Sequence, residues 1–274
     1  MTTYINTVKL AVITLIFSMV TLSCVAQTRV PAQNRSARQA TTTPTASQSD
    51  AKRVVTVDSV LNKYFEATGG KAKWDQIRNY SIKRKYTSTN VASYDAEISG
   101  VLADNALYKN EIIKGRGFIY GIKGNDAWRK VPLGSADKVT NYQVSDLSKD
   151  KAAEMRLELY DFLVPFLNYS QRGFVASLVG PDKYNGKDVQ KVELQGKDAR
   201  YTLLFDNDSG LLLQSRLIAG GEEIISDYSQ YVKSDFGILY PSSITRNEVK
   251  RKANYKITSE LTINKAVDSS LFSR

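Results

Sequence analysis

From residue 80 onward the chain is a long series of short segments in which apolar and polar side chains alternate. Tyr80, Ile82 and Tyr86, for example, are separated by polar residues, and the same period of two returns in segment after segment up to residue 263. Alternation gives a strand one apolar face, and stretches rich in Gly, Asn and Asp supply the turns. The pattern predicts about ten or eleven antiparallel strands, and a sheet of that length tends to curl.

Two helical segments accompany the strands. The first covers residues 57–67, where apolar side chains recur at helical spacing behind a Thr56 N-cap. The second covers 149–168 and carries a strongly apolar stripe, with Pro165 expected to kink or end it. The apolar face of a curved sheet needs a cover, and these helices are the candidates. We therefore predict a mainly β (α+β) fold, a single domain over 54–274 with two helical segments covering a curved antiparallel sheet.

The first 26 residues have the order of a secretion signal. A basic beginning, an uncharged apolar run over 10–22 and several small residues follow one another, and the run is short for a membrane span. We expect cleavage after Ala26, so that 1–26 is a signal peptide and the mature protein is periplasmic. The alternative is a lipidated Cys24, which would anchor the protein to a membrane, although Leu22 lies one position too close for the usual lipobox.

Residues 27–53 are rich in Thr, Ser, Gln, Ala and Pro and lack apolar periodicity, which predicts a disordered linker. The whole chain has a net charge of +10. Because an exported protein does not meet nucleic acid, we expect no nucleic-acid partner. The anionic headgroups of a membrane surface are a better match for the positive charge.

The chain has no histidine, and Cys24 is its only cysteine. It therefore cannot build a Ser-His-Asp or Cys-His pair, or a zinc site from His and Cys. A hydrolase could use two carboxylates, but no converging pair is evident. The acidic stretch 206–210 lies between two strands and is predicted to be a hairpin turn, not a calcium loop. We expect no enzymatic activity, no metal and no cofactor.

Four stretches have a recognisable order and spacing: residues 60–79, 121–134, 201–216, and 228–245 with the ending 261–272. Together they resemble the outer-membrane lipoprotein carrier (Lol-type) superfamily, in the version known as outer-membrane lipoprotein-sorting proteins of Bacteroidetes-like bacteria. The resemblance extends over 54–274. It implies a strongly curved, unclosed antiparallel β-barrel with helices at its open side. It also implies an apolar cavity that takes up the acyl chains of a lipid or lipoprotein, in a non-enzymatic carrier that we expect to be a monomer.

The candidate cavity-lining residues are large apolar and aromatic side chains: Trp74, Tyr86, Ile98, Trp128, Phe162, Leu163 and Phe166. Each could equally be plain core, because side chains packed at interior density leave no room for a ligand. The last three lie next to Pro165, and we expect this segment to form a movable lid.

Arg84 lies between Ile82 and Tyr86 on the apolar face of its predicted strand. A charge in that position needs a partner or a function, so Arg84 is a candidate latch that bonds to the covering helices. An edge strand or a snorkelling side chain is the alternative. For the whole domain, the carrier hypothesis competes with an envelope sensor or scaffold that binds a protein partner without lipid. A large cavity favours the carrier, and a filled core with an exposed apolar patch favours the scaffold.

Overall fold

The computed structural model describes residues 54–134 and 141–274. The predicted signal peptide, the choice between Ala26 and Cys24, and the predicted linker lie outside these residues. Thirteen strands form one sheet, and three α-helices and a C-terminal 3-10 turn accompany it. None of the described helices combines the length and the apolar character needed to cross a bilayer.

The helices are α1 Val57–Ala67, α2 Lys71–Trp74 and α3 Lys149–Asp161, with the 3-10 turn at Ser269–Phe272. The first six strands are β1 Asn79–Thr87, β2 Tyr94–Val101, β3 Ala106–Ile113, β4 Arg116–Lys123, β5 Asp126–Pro132 and β6 Tyr142–Asp146. The other seven follow α3: β7 Val175–Tyr184, β8 Lys187–Gln195, β9 Ala199–Asp206, β10 Leu212–Ala219, β11 Glu222–Lys233, β12 Leu239–Glu248 and β13 Ala253–Ile263.

The strand order places the first and last strands together at the centre of the sheet. β1 to β6 follow one another outward to one edge, and after α3 the strands β7 to β13 return from the other edge, so that β13 pairs with β1. The sheet is not closed, because β6 and β7 each pair on one side only within the described ranges. This confirms the predicted curved, unclosed antiparallel barrel with covering helices, although the strands number thirteen and not ten or eleven.

α1 begins and ends where the sequence predicts. The Thr56 Oγ1 atom accepts a hydrogen bond from the Ser59 N–H at 3.1 Å, and the Ser59 Oγ atom accepts one from the Thr56 N–H at 2.9 Å. This reciprocal pair satisfies two of the free N–H groups at the helix start. Beyond the other end, Gly69 has a φ of 118°, and a Cβ there would come within 2.7 Å of the Gly237 carbonyl oxygen. Glycine is therefore required where α1 ends.

α3 is shorter than the predicted segment 149–168, because it ends at Asp161. A proline disfavours helical backbone at the residue before it, so Pro165 stops the helix from continuing through Val164. The chain runs on as turns to residue 173. The apolar stripe of the prediction is buried nevertheless: Met155, Leu159, Phe162, Leu163, Phe166 and Leu167.

Two parts of the sheet differ from the prediction. β6 is an edge strand that is largely exposed, so its sequence has no apolar face to recognise. In β3 the alternation of Tyr108 and Ile112 predicts that these two residues face inward, but they lie on the outer face, because the register puts Lys109 opposite Ile98 on the inner face. The inner face of β3 is therefore partly charged.

One half of the concave face is filled by aromatic rings. The ring centroid of Phe166 lies 5.0 Å from that of Tyr64, 5.3 Å from that of Phe205 and 5.5 Å from that of Phe65. Trp74 packs against Tyr64 and Phe65 in the same cluster. These contacts tie α1 and α2 to the turns that follow α3, and they leave this end of the barrel packed.

Candidate functional site

A chamber of about 490 Å³ lies between α3 and the other half of the concave face. Its floor consists of inward-facing residues on neighbouring strands. Ser226 of β11 stands opposite Arg246 of β12, which stands opposite Tyr255 of β13. Tyr86 of β1 and Tyr94 of β2 form the next cross-strand pair of the floor. Cross-strand partners share a face of the sheet, so these side chains converge.

α3 is the roof of the chamber and turns a charged stripe toward it. The stripe consists of four residues at intervals of three and four: Lys151, Glu154, Glu158 and Asp161. Residues so spaced lie on one side of a helix. The apolar stripe of the helix is buried, and α3 packs most closely against β3 and β4.

The chamber differs from the apolar cavity that the resemblance implies. Of its 26 lining residues, nine are charged, six are tyrosines, two are serines and nine are apolar. The difference arises because β3, β12 and α3 all direct charged side chains inward. A ligand of this chamber therefore needs polar groups as well as apolar surface.

Lys109 and Glu158 form the central ion pair. The Lys109 Nζ atom lies 2.9 Å and 2.7 Å from the two Glu158 carboxylate oxygens and 3.4 Å from an oxygen of Glu111. Burial alone would lower the pKa of the amine, but Glu158 and Glu111 outweigh it, so the pKa of Lys109 is raised. Burial alone would raise the pKa of Glu158, but Lys109 outweighs it, so that pKa is lowered. Both groups are charged, and they fasten α3 to β3.

Arg251 holds a second charged cluster at the edge of the chamber. Its guanidinium lies 3.1 Å from Glu248, 3.7 Å from Glu222 and 3.8 Å from Glu154 of α3. Its side chain is half exposed, so these pairs are weaker than the buried pair of Lys109.

A second cleft, of about 860 Å³, lies beside the chamber. The two spaces share Leu157 of α3 and the inward-facing Leu217 and Ile224 of β10 and β11. They also share the charged residues Lys151, Glu154 and Arg251. The chamber therefore continues into the cleft through a passage beneath α3 in which Leu157, Leu217 and Ile224 form an apolar strip beside charged side chains.

Tyrosines form the wall at the β1–β2 turn. The rings of Tyr86 and Tyr94 stack with centroids 4.3 Å apart, and Tyr255 meets both edge to face at 5.7 Å. Elsewhere in the lining, the hydroxyl groups of Tyr228 and Ser215 share a hydrogen bond of 2.7 Å. The wall therefore offers apolar ring faces and hydroxyl groups together.

Arg246 is the charged residue of the lining that lacks a partner. Within the described part of the chain its side chain forms no ion pair and no hydrogen bond, and its Nε atom is buried. Burial would lower its pKa, but Tyr86, Glu248 and Glu158 outweigh burial and raise the pKa, so the guanidinium is charged.

Asp161 ends α3 at the inner side of the chamber. Its carboxylate accepts hydrogen bonds of 2.8 Å and 3.0 Å from the Tyr201 hydroxyl and lies 3.8 Å from Arg172. Burial raises the pKa of Asp161 to about 6, against the opposing effect of Arg172. This carboxylate therefore titrates near neutral pH.

The structure places the seven predicted lining residues in different environments. Tyr86 and Phe162 line the chamber, whereas Trp74 and Phe166 belong to the packed aromatic cluster. Ile98 and Leu163 are buried in the core, Leu163 beside a space of only about 20 Å³. Phe166 is held by three rings, whereas Phe162 and Pro165 line the chamber next to α3, and a movable lid around Pro165 stays a prediction.

Trp128 lies on the opposite face of the sheet from α3. It pairs with Gly121 of β4, and a Cβ at Gly121 would come within 2.2 Å of the indole ring. The C-terminal turn covers this face: the Lys130 Nζ atom donates to the Ser273 carbonyl, and Arg274 pairs with Asp146. Trp128 is thus separated from the chamber by the sheet.

Arg84 faces the interior as predicted and is 6% exposed. The latch hypothesis predicts hydrogen bonds to the covering helices. The contact is instead with the ring of Phe162, whose centroid lies 4.8 Å from the guanidinium carbon. The Nε atom of Arg84 is buried without a partner among the residues that the structure describes.

The sequence interpretation did not include Lys109, Arg246 or the charged stripe of α3 among the site residues. A signal was available for Arg246, because it follows Ile244 at the alternating position of β12. Lys109 has Leu107 and Glu111 as its neighbours on the same face of β3, so the alternation there does not mark it. For α3 the apolar stripe is the stronger signal, and it assigns the charged residues to solvent.

Solved structures share this fold, and two of them show the following similarity to this chain. A LolA superfamily protein from Nitrosomonas europaea superposes with a TM-score of 0.51 at 16% identity, over 81% of this chain and 99% of that chain. A putative outer membrane lipoprotein-sorting protein domain from Vibrio parahaemolyticus superposes with a TM-score of 0.50 at 11% identity, over 74% of this chain and 92% of that chain. No family model and no curated protein matches the sequence. The chain has the Lol-type carrier fold; a Bacteroidetes-like origin stays a prediction.

Proposed function

We propose that this protein is a non-enzymatic periplasmic carrier that takes up a lipid, or the acyl chains of a lipoprotein, in the chamber beneath α3. The signal peptide predicted over 1–26 supports export, and the similarity to a LolA superfamily protein and to a lipoprotein-sorting domain supports a role in lipoprotein sorting. The carrier acts as a monomer that exchanges its cargo with a membrane surface or an envelope protein.

The observation that carries this proposal is the space under α3. A chamber of about 490 Å³ falls in the range of small-molecule sites, roughly 300–1,000 Å³. The apolar strip of Leu157, Leu217 and Ile224 along its passage is suited to an acyl chain, and each buried methylene contributes about 0.8 kcal/mol. The charged and tyrosine-rich remainder is suited to the polar end of an amphiphile.

α3 acts as the cover that opens. Its last turn is fastened by the Tyr80 hydroxyl on the Leu159 carbonyl at 2.7 Å, by the Lys109–Glu158 pair and by the Tyr201–Asp161 hydrogen bond. Its first turns depend on exposed contacts such as Arg251 to Glu154 at 3.8 Å. Cargo therefore enters beneath the N-terminal half of α3, and the helix swings on its fastened end.

Tryptophan substitutions at two adjacent isoleucines of β11 test the proposal. Ile224 faces the chamber and Ile225 faces outward, and both are half-buried. We expect Ile224→Trp to fill the passage and weaken binding of the uncharged fluorescent probe N-phenyl-1-naphthylamine at least tenfold. Ile225→Trp should bind like the wild type, and both variants should melt within a few degrees of it.

The second measurement is native mass spectrometry of the protein purified from its own cells. A co-purifying lipid in the wild type that is reduced in Ile224→Trp supports the carrier. If the wild type carries no lipid and binds no probe, the carrier proposal is wrong, and a scaffold that binds a protein partner takes its place.

A further inference from the structure

The positive charges that line the chamber are matched with negative charges, with one exception. Lys109 is paired with Glu158 at 2.7 Å, Lys151 with Glu154 at 2.8 Å and Arg251 with Glu248 at 3.1 Å. The side chain of Arg246 alone has neither an ion pair nor a hydrogen bond within residues 54–134 and 141–274. Arg246 is partly buried, and its Nε atom is withdrawn from water without a partner, which is unfavourable, so this position is suited to an anion from outside the chain.

The surroundings of Arg246 can complete such a site. Its cross-strand neighbours are Ser226 and Tyr255, and both line the chamber beside it. Tyr86 and Tyr94 close the wall on the Tyr255 side. A carboxylate or phosphate oxygen pair matches the fork of a guanidinium, and the neighbouring hydroxyl groups can donate further hydrogen bonds.

The floor beyond Arg246 is apolar. Ile224 precedes Ser226 on the same inward face of β11, and Leu217 of β10 stands opposite Ile224. Across the space, Leu157 of α3 completes the apolar strip that leads into the neighbouring cleft. A cationic point at one end of an apolar strip is complementary to a molecule with an anionic head and an acyl tail.

We infer that the chamber selects anionic amphiphiles, with Arg246 binding the carboxylate or phosphate of the head and the acyl chain lying along Ile224, Leu217 and Leu157. This inference rests on the carrier function and names its cargo class. It concerns the head of the cargo, whereas uptake of uncharged apolar probes depends only on the passage.

The test compares two probes that differ only at the head, cis-parinaric acid and cis-parinaryl alcohol, by fluorescence titration at low salt. The wild type should bind the acid at least about tenfold more tightly than the alcohol, as expected for a hydrogen-bonded ion pair. Arg246→Gln should bind both equally, and Arg246→Lys should keep part of the preference. The matched control is Arg200→Gln on the exposed outer face of β9, which should keep the full preference.

Displacement of bound acid by oleate and by lyso-phosphatidylglycerol identifies the preferred head as carboxylate or phosphate, and competition by either supports the inference. Equal binding of acid and alcohol by the wild type would overturn the anionic head while leaving the carrier function intact, and this comparison needs no variant. Retention of the preference in Arg246→Gln would also overturn it. Failure of the wild type to bind the acid, the alcohol and the uncharged probe would remove the carrier function and this inference together.

Discussion

Lys109 illustrates how a single charged side chain can reverse the face assignment of a strand. Periodicity favours the more apolar alternate set of β3, Tyr108 and Ile112, as the inward one. The real inward set contains Lys109, and its burial is possible because Glu158 of α3 supplies a carboxylate at 2.7 Å. That partner lies 49 residues away in the sequence. A pattern within one strand cannot contain it, whereas Arg84 was found because both its neighbours on the face are apolar.

Asp161 should make the stability of the domain depend on pH near neutrality. Its pKa is raised by burial from 3.8 to about 6 in the folded protein, so folding favours the protonated form. The stability from this group is fully present below about pH 4 and is lost as the pH rises through 6, with a total of about 3 kcal/mol at most.

The measurement is urea unfolding from pH 4 to 7 for the wild type and Asp161→Asn. We expect the free energy of unfolding of the wild type to fall relative to that of Asp161→Asn as the pH rises across this window. Asp95→Asn, at an exposed position of β2, is the control and should follow the wild type. A difference between wild type and Asp161→Asn that does not change with pH would contradict the assignment.

At the scale of the elements, the local signals in the sequence located α1 to the residue and misplaced the end of α3. The α1 limits depend on the capping pair of Thr56 and Ser59 and on the glycine beyond its end, all of which are local. The apolar stripe over 149–168 continues past Asp161 because the following turns are buried too. An apolar stripe shows which side chains are buried but does not show that the backbone is helical. Only the effect of Pro165 on the backbone of the preceding residue indicated where the helix stops.

The turns after α3 are held by aromatic packing, and this packing determines how much truncation of Phe166 lowers the free energy of unfolding. We expect Phe166→Ala to lower the free energy of unfolding by about 3–5 kcal/mol, because its ring packs against Tyr64, Phe65 and Phe205 and the hole cannot collapse. Phe162→Ala should lower the free energy of unfolding clearly less than Phe166→Ala does, because one side of the Phe162 ring faces the chamber. Chemical denaturation checks both, and equal costs would show that the two rings have similar surroundings.

At the scale of the whole molecule, the pairing of β1 with β13 makes the two halves of the sheet depend on each other. A chain that stops after residue 252 lacks β13, so β1 and β12 each lose a partner along with the buried Ile257 and Ile263. We expect this truncation to abolish the cooperative melt seen by circular dichroism. A chain that stops after residue 267 loses only the C-terminal turn, and it should still melt cooperatively while the fluorescence of Trp128 shifts to the red. Cooperative melting of the chain that stops after residue 252 would contradict the dependence of the two halves of the sheet on each other.

A curved antiparallel sheet was predictable from the alternation within the strands, and the resemblance to the Lol-type superfamily implied its unclosed barrel form, whereas the chamber was not predictable. Whether α3 lies tightly on the sheet or stands away from β10 and β11 depends on contacts between distant segments. Leu157, Leu217 and Ile224 look like core residues in the sequence, and only their relative positions show the passage between them.

The β1–β13 pairing also sets a minimum time between the synthesis of β1 and the completion of the sheet. Tyr86 pairs with Ile257, 171 residues later by the difference 257 − 86. A ribosome that adds about 5–20 residues per second needs on the order of ten to thirty seconds to supply the second strand after the first. Throughout that interval β1 has one bare edge, and the exposed Lys83 and Lys85 discourage it from pairing with another chain. The sheet of the domain consequently stays incomplete until its last strand has been made.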